Sequence, residues 1–104
     1  MFLDDMTKFQ LSVIKLVLKV PRGKVTTYKE IAITLGRPRA YRAVANVLAD
    51  NPYTIKMPCH RVVRSDGEIG GYKLGTPQKV KRLVAEGVEV RNKKIDLARY
   101  MFHF

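Results

Sequence analysis

The residues best suited to carry out chemistry lie around Cys59, the only cysteine among the 104 residues. Pro58 stiffens the backbone before it, and His60 and Arg61 follow as two groups that could favour a thiolate. A free thiol has a pKa of about 8.5, so few are ionised at neutral pH without such help. Adjacent side chains of an extended chain point in opposite directions, so contact between Cys59 and His60 requires a bend or a bridging water. The residue types leave two interpretations open, a nucleophilic thiol and a small buried hydrophobic residue.

The single cysteine also limits other chemistry. It allows no intrachain disulfide and no zinc site built from several cysteines, so we expect no bound metal. A thiol that must stay reduced points to the cytoplasm or, in a eukaryote, the nucleus. The sequence begins MFLDD, without the basic start of a secretory signal, and no apolar run approaches the roughly 20 residues that span a membrane.

The charge predicts a polyanionic partner. Twenty Lys and Arg residues stand against nine Asp and Glu residues, for a net charge of +11. Counterion release from a phosphate backbone makes nucleic acid the natural partner, and an acidic protein is the alternative. A cluster of arginines at the start of a predicted helix favours DNA: Arg37, Arg39 and Arg42.

Two short helices are predicted in the region of these arginines. Thr27 followed by Glu30 fits a capping box, and the helix that it begins ends at Gly36. A second helix is predicted over residues 40–50, with Val44, Val47 and Leu48 on one face and Arg42 off it. The tight glycine-containing turn indicates a helix-turn-helix, and an ordinary helical hairpin is the alternative.

The remaining pattern completes a mainly α fold with a few short strands. Apolar spacing predicts a helix over residues 6–20 that Pro21 stops, and the prolines at 52 and 58 predict an extended segment between them. Thr76 as N-cap and Gly87 delimit a helix over residues 77–86 that carries Val80, Leu83 and Val84 inward. The apolar tail should pack onto the core through Ile95, Leu97, Tyr100 and Phe102. We expect one domain over residues 1–104, a winged-helix-like helix-turn-helix domain.

Several segments, in this order and spacing, resemble the O6-alkylguanine-DNA alkyltransferases. The string Pro58-Cys59-His60-Arg61-Val62-Val63, preceded by Asn51-Pro52 and followed by Gly70-Gly71-Tyr72, is similar to the active-site signature of that family. The segment VTTYKEIA at residues 25–32 resembles its first helix-turn-helix segment, Arg42-Ala43-Val44 its recognition helix, and Glu86-Gly87-Val88 the end of its terminal helix.

The resemblance implies a monomer that binds duplex DNA through the minor groove and repairs O6-alkylguanine. Arg42 would take the place of a flipped-out nucleotide, with Arg39 and Ala43 contacting DNA beside it. Flipping is required because a thiol in a pocket cannot reach the O6 substituent of a stacked guanine. Without the resemblance, Arg42 would be interpreted as a phosphate contact.

The resemblance also implies the catalytic roles. Cys59 would take the alkyl group, Glu86 would orient His60, and His60 would deprotonate Cys59 through a water. Tyr28 would donate its hydroxyl proton to the leaving purine, and Asn51 would brace the segment between the recognition helix and the cysteine. Apart from the family, Glu86 is a solvated helix end, Tyr28 a half-buried aromatic and Asn51 a helix C-cap.

The substrate pocket implied by the resemblance involves Val62, Tyr72 and Lys73. Backbone groups around Cys59 and Val62 would recognise the base. No metal or organic cofactor is expected, because the thiolate and the leaving guanine carry all the electrons involved. The thioether product is irreversible, so the protein would act once.

Two departures from the family pattern leave a rival open. The family's usual N-terminal domain is not expected in this sequence, and Lys73 stands where many members have serine. An alkyltransferase-like damage sensor, which binds alkylated DNA without transfer, also lacks that domain but typically replaces the cysteine. A helix-turn-helix regulator with an incidental cysteine is a second rival, and it leaves the Pro-Cys-His-Arg string unexplained. The presence of Cys59 favours transfer.

Overall fold

The computed structural model describes residues 7–50 and 57–104. The first helix, α1 (Lys8–Val17), begins at a capping box. The Thr7 hydroxyl oxygen accepts from the backbone amide of Gln10, and the side-chain oxygen of Gln10 accepts from the backbone amide of Thr7. The predicted end at residue 20 is three residues too late. The chain leaves the helix through tighter bonds, with the Val20 amide donating to the carbonyl of Val17 at 3.1 Å.

The helix-turn-helix pair is confirmed, as α2 (Tyr28–Thr34) and α3 (Tyr41–Ala49). Thr27 caps α2 by accepting from the Glu30 amide at 2.9 Å. The helix ends in a Schellman motif, because Gly36 adopts a positive φ of 74° and the Arg37 amide donates back to the Ala32 carbonyl at 2.9 Å. The glycine thus supplies the turn on which the position of α3 depends.

A two-stranded parallel sheet connects this pair to the cysteine. Strand β1 (Thr26–Thr27) lies directly before α2. Strand β2 (Val62–Val63) directly follows the cysteine turn, a 3₁₀ turn over Cys59–Arg61. Thr26 pairs with Val62 and Thr27 with Val63. Because the strands run in parallel, the start of α2 is held beside the segment that follows Cys59.

The helix α4 (Thr76–Ala85) corrects two details of the prediction. Gly75, with φ 95°, occupies the N-cap position that was predicted for Thr76, and Thr76 is the first helical residue. Val84 is 56% exposed rather than inward, whereas Leu83 and Lys79 are fully buried. Lys79 and Leu83 are four residues apart and share a face, while Val84 is rotated by about 100° from Leu83.

Two apolar clusters form the core. One joins α1, α2 and α3 to the cysteine turn, and includes Val13, Val17, Ile31, Val44 and Leu48. The other joins β2 and α4 to the tail, which ends in the short helix α5 (Leu97–Tyr100), and its buried members include Leu83, Val88, Ile95 and Tyr100. The predicted packing of the tail is confirmed for Ile95, Leu97 and Tyr100, whereas Phe102 is only half-buried and its ring lies against Phe104. No helix in the described parts of the chain is both long enough and apolar enough to cross a bilayer.

Candidate functional site

The 3₁₀ turn brings Cys59 and His60 into the interior together. The Arg61 amide donates to the Pro58 carbonyl at 2.9 Å, and the Val62 amide donates to the Cys59 carbonyl. Three residues per turn rotate successive side chains by about 120°, in contrast to the alternation of an extended chain. The two side chains are therefore not held on opposite sides of the chain. Cys59 is 6% exposed and His60 is 3% exposed.

His60 lies beside a buried carboxylate, as the resemblance implies. Its Nε2 atom lies 3.0 Å from Oε2 of Glu86, whose side chain is 8% exposed at the end of α4. The approach is not in line with the ring N–H, so it is not a linear hydrogen bond, and it becomes an ion pair only when His60 is protonated. The other ring nitrogen, Nδ1, is buried and has no hydrogen-bond partner among the described residues, which leaves it available to take a proton.

Arg61 has a different role from the one that its sequence position indicates. Its guanidinium binds Glu86 at two points, with Nε 2.9 Å from Oε1 and Nη2 2.7 Å from Oε2. A third bond of 2.8 Å runs from Nη1 to the carbonyl of Val20, after α1. Arg61 is therefore bound to the carboxylate behind His60, and is not the cation beside the thiol that the sequence suggests.

The protonation states follow from these contacts. Burial lowers the pKa of His60, and the charges of Arg82 and Arg61 act in the same direction, while Glu86 opposes them in part. Burial alone would raise the pKa of Glu86, but the bonds and charges of Arg61 and His60 outweigh it and hold that pKa at about 2. At neutral pH the imidazole is therefore neutral and able to act as a base, and the carboxylate is ionised.

A cavity of about 860 Å³ opens beside Cys59, a size typical of ligand sites. Its walls come from α2, α3 and the loop after β2, and include the following residues: Tyr28, Lys29, Tyr41, Arg42, Leu48, Cys59, Arg64, Gly70, Tyr72 and Lys73. Four of its lining residues are Lys or Arg, and within the described parts of the chain none is acidic. The cavity is thus electrostatically suited to an anionic ligand.

The predicted site residues divide into three groups. Cys59, Tyr28, Arg42, Tyr72 and Lys73 line the cavity, and His60 and Glu86 form the network behind the thiol. The remaining residues are placed otherwise: Arg39 and Ala43 are exposed outside the cavity wall, the Val62 side chain is buried in β2, and Asn51 lies outside the described residues.

Tyr28 is half-buried on the cavity wall and remains protonated. Burial raises the pKa of its phenol, the nearby Cys59 acts in the same direction, and Arg64 opposes them. Gly70 packs against it with φ 74°, and a Cβ there would lie 3.6 Å from the phenol oxygen. Tyr28 therefore keeps its hydroxyl proton at neutral pH, and its ring lies against Gly70.

Tyr72 connects the cavity wall to the histidine. Its hydroxyl accepts from Nη1 of Arg82 at 2.7 Å. Its ring meets the ring of His60 edge to face, with centroids 6.5 Å apart. Tyr72 thus covers His60 on one side.

Sequence reasoning missed Lys79, which is fully buried below the cysteine turn. Its Nζ donates to the Val62 carbonyl at 2.7 Å and to the Gly71 carbonyl at 3.0 Å, and lies 5.9 Å from the centre of the Tyr28 ring. Burial lowers the pKa of Lys79 to about 7, while the nearby Cys59 opposes that shift. The signal available in the sequence was its position four residues before Leu83, on the inward face of α4. Within the described residues, no group of three His, Cys, Asp or Glu side chains is placed to hold a metal.

The fold and the site define a small helix-turn-helix domain with a buried thiol in a cationic cavity beside its second helix. The model of the DNA-binding domain of 6-O-methylguanine DNA methyltransferase matches residues 8–88. The chain belongs to this family.

Named relatives and solved structures agree with this membership. The chain is 45% identical over 85 residues to a bifunctional methyltransferase/endonuclease of Picrophilus torridus, covering 82% of this chain and 28% of that protein. It is 52% identical over 69 residues to a methylated-DNA–protein-cysteine methyltransferase of Methanosarcina barkeri, covering 66% and 44%. The chain thus spans less than half the length of these two relatives.

Two structures crystallised with DNA have the same fold. One is S. pombe Atl1 in complex with damaged DNA containing O6-carboxymethylguanine, with a TM-score of 0.85, 32% identity and coverage of 95% of this chain and 98% of that one. The other is Mycobacterium tuberculosis OGT in complex with DNA, with a TM-score of 0.74, 41% identity and coverage of 78% and 50%.

Proposed function

We propose that this domain binds duplex DNA and transfers the alkyl group of an O6-alkylguanine to Cys59. The observation that carries the proposal is the cavity that the Cys59 thiol shares with Tyr28 and Arg42, with His60 and Glu86 paired behind it. These residues would supply a nucleophile, a base, an acid and a cation that contacts DNA. The name of the M. barkeri relative, a methylated-DNA–protein-cysteine methyltransferase, supports the same reaction.

DNA binding is assigned to α3 and the turn before it. Arg42 is exposed at the start of α3 and also lines the cavity, so it can enter the base stack while the displaced nucleotide occupies the cavity. Arg39 and Ala43 are exposed beside it and would contact the minor-groove walls and the phosphates. The net charge of +11 supplies the nonspecific attraction, and we propose that the domain binds as a monomer.

The transfer is a substitution at the alkyl carbon. His60 accepts the Cys59 proton through a water, and the resulting thiolate forms an S–C bond as the C–O6 bond breaks. The electron pair of the broken bond stays with guanine, which takes a proton from the Tyr28 hydroxyl. The product is a thioether, so each molecule reacts once, and the balance requires no metal or cofactor.

The pocket would hold the base through backbone and aromatic groups. The carbonyls around Cys59 and Val62 would accept from the guanine amine, and Tyr72 would cover the ring. Lys73 would add a phosphate contact at the rim. Asn51 is proposed to brace the segment that leads to Cys59. Because the thiol must stay reduced, we propose the cytoplasm or, in a eukaryote, the nucleus as the compartment.

A damage sensor is the second candidate function. The observation in its favour is the match to S. pombe Atl1, which covers 98% of that chain and was crystallised with damaged DNA. A sensor would use Arg42 and the cavity in the same way but would leave the alkyl group on the base. Cys59 in the cavity favours transfer.

The test is a repair assay on a duplex oligonucleotide that contains one O6-methylguanine. Transfer predicts that the modified base disappears in amounts equal to the added protein and then stops, and that Cys59→Ser binds the duplex but removes nothing. Tight binding by the wild-type protein with the modified base left intact would support the sensor and defeat the transfer proposal.

A further inference from the structure

The Glu86 carboxylate is shared between a base and a cation. His60 Nε2 and Arg61 Nη2 approach the same oxygen, Oε2, at 3.0 and 2.7 Å, and Arg61 Nε takes the other oxygen at 2.9 Å. In catalytic triads that rely on a carboxylate, its negative charge stabilises the imidazolium. Here a half-buried guanidinium engages both oxygens, so part of that negative charge is compensated where it faces His60.

Arg61 also fixes where the carboxylate lies. Its third bond, from Nη1 to the Val20 carbonyl at 2.8 Å, ties the guanidinium to the segment after α1. A planar donor group held at three points has no freedom to follow a moving carboxylate. The contacts with Arg61 therefore determine where the Glu86 carboxylate lies relative to His60.

We infer that Arg61 is a positioning residue that holds Glu86 against His60 and, by engaging both carboxylate oxygens, limits how far the carboxylate makes His60 basic. The inference rests on the proposed function in that Cys59 is taken as the nucleophile.

Other charged and titratable groups face this pair and must stay unchanged in a test. Arg82 of α4 acts on His60, and the Tyr72 ring lies against it. Tyr28 of α2 and Lys79 of α4 interact electrostatically with Cys59. Substitution of Arg61 leaves all four in place, so an altered titration can be assigned to the Arg61–Glu86 pair.

The test is the pH dependence of Cys59 alkylation by iodoacetamide in the protein without DNA. In R61Q the unshielded Glu86 should make His60 more basic, so the proton moves from sulfur to the ring. The midpoint of thiolate formation should fall by about one pH unit, equivalent to about tenfold more thiolate below the wild-type midpoint. R61K keeps the positive charge but not the two-point contact of the guanidinium. Its midpoint of thiolate formation should therefore lie between those of wild type and R61Q. R61K also provides the test if R61Q fails to fold.

The direction in which R61Q moves the midpoint of thiolate formation distinguishes the two possible roles of Arg61. If Arg61 acts directly on the thiol as a cation, R61Q moves the midpoint to higher pH, and that result overturns the inference. An unchanged midpoint with only a lower melting temperature assigns Arg61 a structural role and also overturns it. In an E86Q background, most of the R61Q effect should vanish, and persistence of the full effect would contradict action through Glu86. The titration uses no DNA, so a failure of the Arg61 inference can be distinguished from a failure of alkyl transfer in the repair assay.

Discussion

Nζ of Lys79 donates a 2.7 Å hydrogen bond to the carbonyl oxygen of Val62, so a fully buried lysine of α4 holds the backbone that follows the cysteine turn. The same nitrogen binds the Gly71 carbonyl in the loop that lines the cavity. One side chain therefore ties together α4, β2 and the cavity loop.

Replacing Lys79 should slow alkyl transfer and change the pH dependence of stability. K79M leaves two carbonyls without their donor, and we expect transfer to be at least about tenfold slower, since a 1.4 kcal/mol loss has this effect. Single-turnover rates on a methylated duplex measure this. K81M, on an exposed residue of the same helix, should react like wild type.

The stability effect of Lys79 has a defined sign. The pKa of about 7 in the folded protein lies below the ordinary value of 10.5, so the unfolded chain binds more protons between these limits. The free energy of unfolding should therefore rise as pH increases from about 7 towards 10. Urea denaturation across this range measures the slope. A slope equally steep in K79M would contradict the assignment.

Glu86 should stabilise the folded protein in neutral solution and lose that effect in acid. E86Q removes the charge that pairs with the half-buried Arg61, which keeps only its bond to the Val20 carbonyl, so we expect a loss of about 2–3 kcal/mol at pH 7. Because the folded pKa of about 2 lies below the ordinary 4.5, this advantage persists above pH 4.5 and disappears as pH falls towards 2. Urea denaturation of both proteins over this range checks it, and a difference independent of pH would count against it.

Arg42 should matter for duplex DNA and little for a free base. R42A removes the side chain that would replace the flipped nucleotide, so we expect duplex repair to slow by about tenfold or more. Reaction with free O6-alkylguanine, which needs no flipping, should change little. R39A is the control outside the cavity, and it should mainly weaken binding and reduce the salt dependence by about one phosphate contact. Equal losses by R42A on both substrates would argue against insertion into the stack.

Gly70 should be intolerant of a side chain, and its neighbour should not be. Gly70 has φ 74°, and a Cβ there would lie 3.2 Å from Cγ of Arg64 and 3.6 Å from the Tyr28 hydroxyl. G70A should cost about 1–2 kcal/mol of stability because of the left-handed backbone, and it should slow transfer by shifting the Arg64 side chain on the cavity wall. G71A is the matched control, because nothing lies within 4 Å of its Cβ. Melting temperature and single-turnover rate test both variants, and similar behaviour of the two would contradict this reasoning.

Local sequence signals predicted the elements well. The helix caps at Thr27 and Gly36 and the apolar face of α3 depend on residues only a few positions away. They could therefore be predicted directly from the sequence. The need for a bend at Cys59 was also predicted, although the 3₁₀ turn that provides it was not. The family resemblance identified the cavity residues, which composition alone does not group.

Long-range contacts could not be predicted from such signals. Arg61 meets Glu86 across 25 positions of sequence and binds the Val20 carbonyl across 41, and no local rule selects those partners. Lys79 was overlooked because lysine is almost never fully buried, so its place on an inward face suggested nothing. The prediction that Val84 points inward was wrong, because the buried face of a helix covers only part of each turn and Val84 lies outside it.

The central claim is that the Cys59 sulfur itself receives the alkyl group. The most direct measurement is peptide mass spectrometry after reaction with a duplex whose O6-methylguanine carries an isotopically labelled methyl group. The account predicts one labelled methyl per protein molecule, on the peptide that contains Cys59. Saturating binding of the duplex with that peptide unlabelled, or label on another residue, would contradict it.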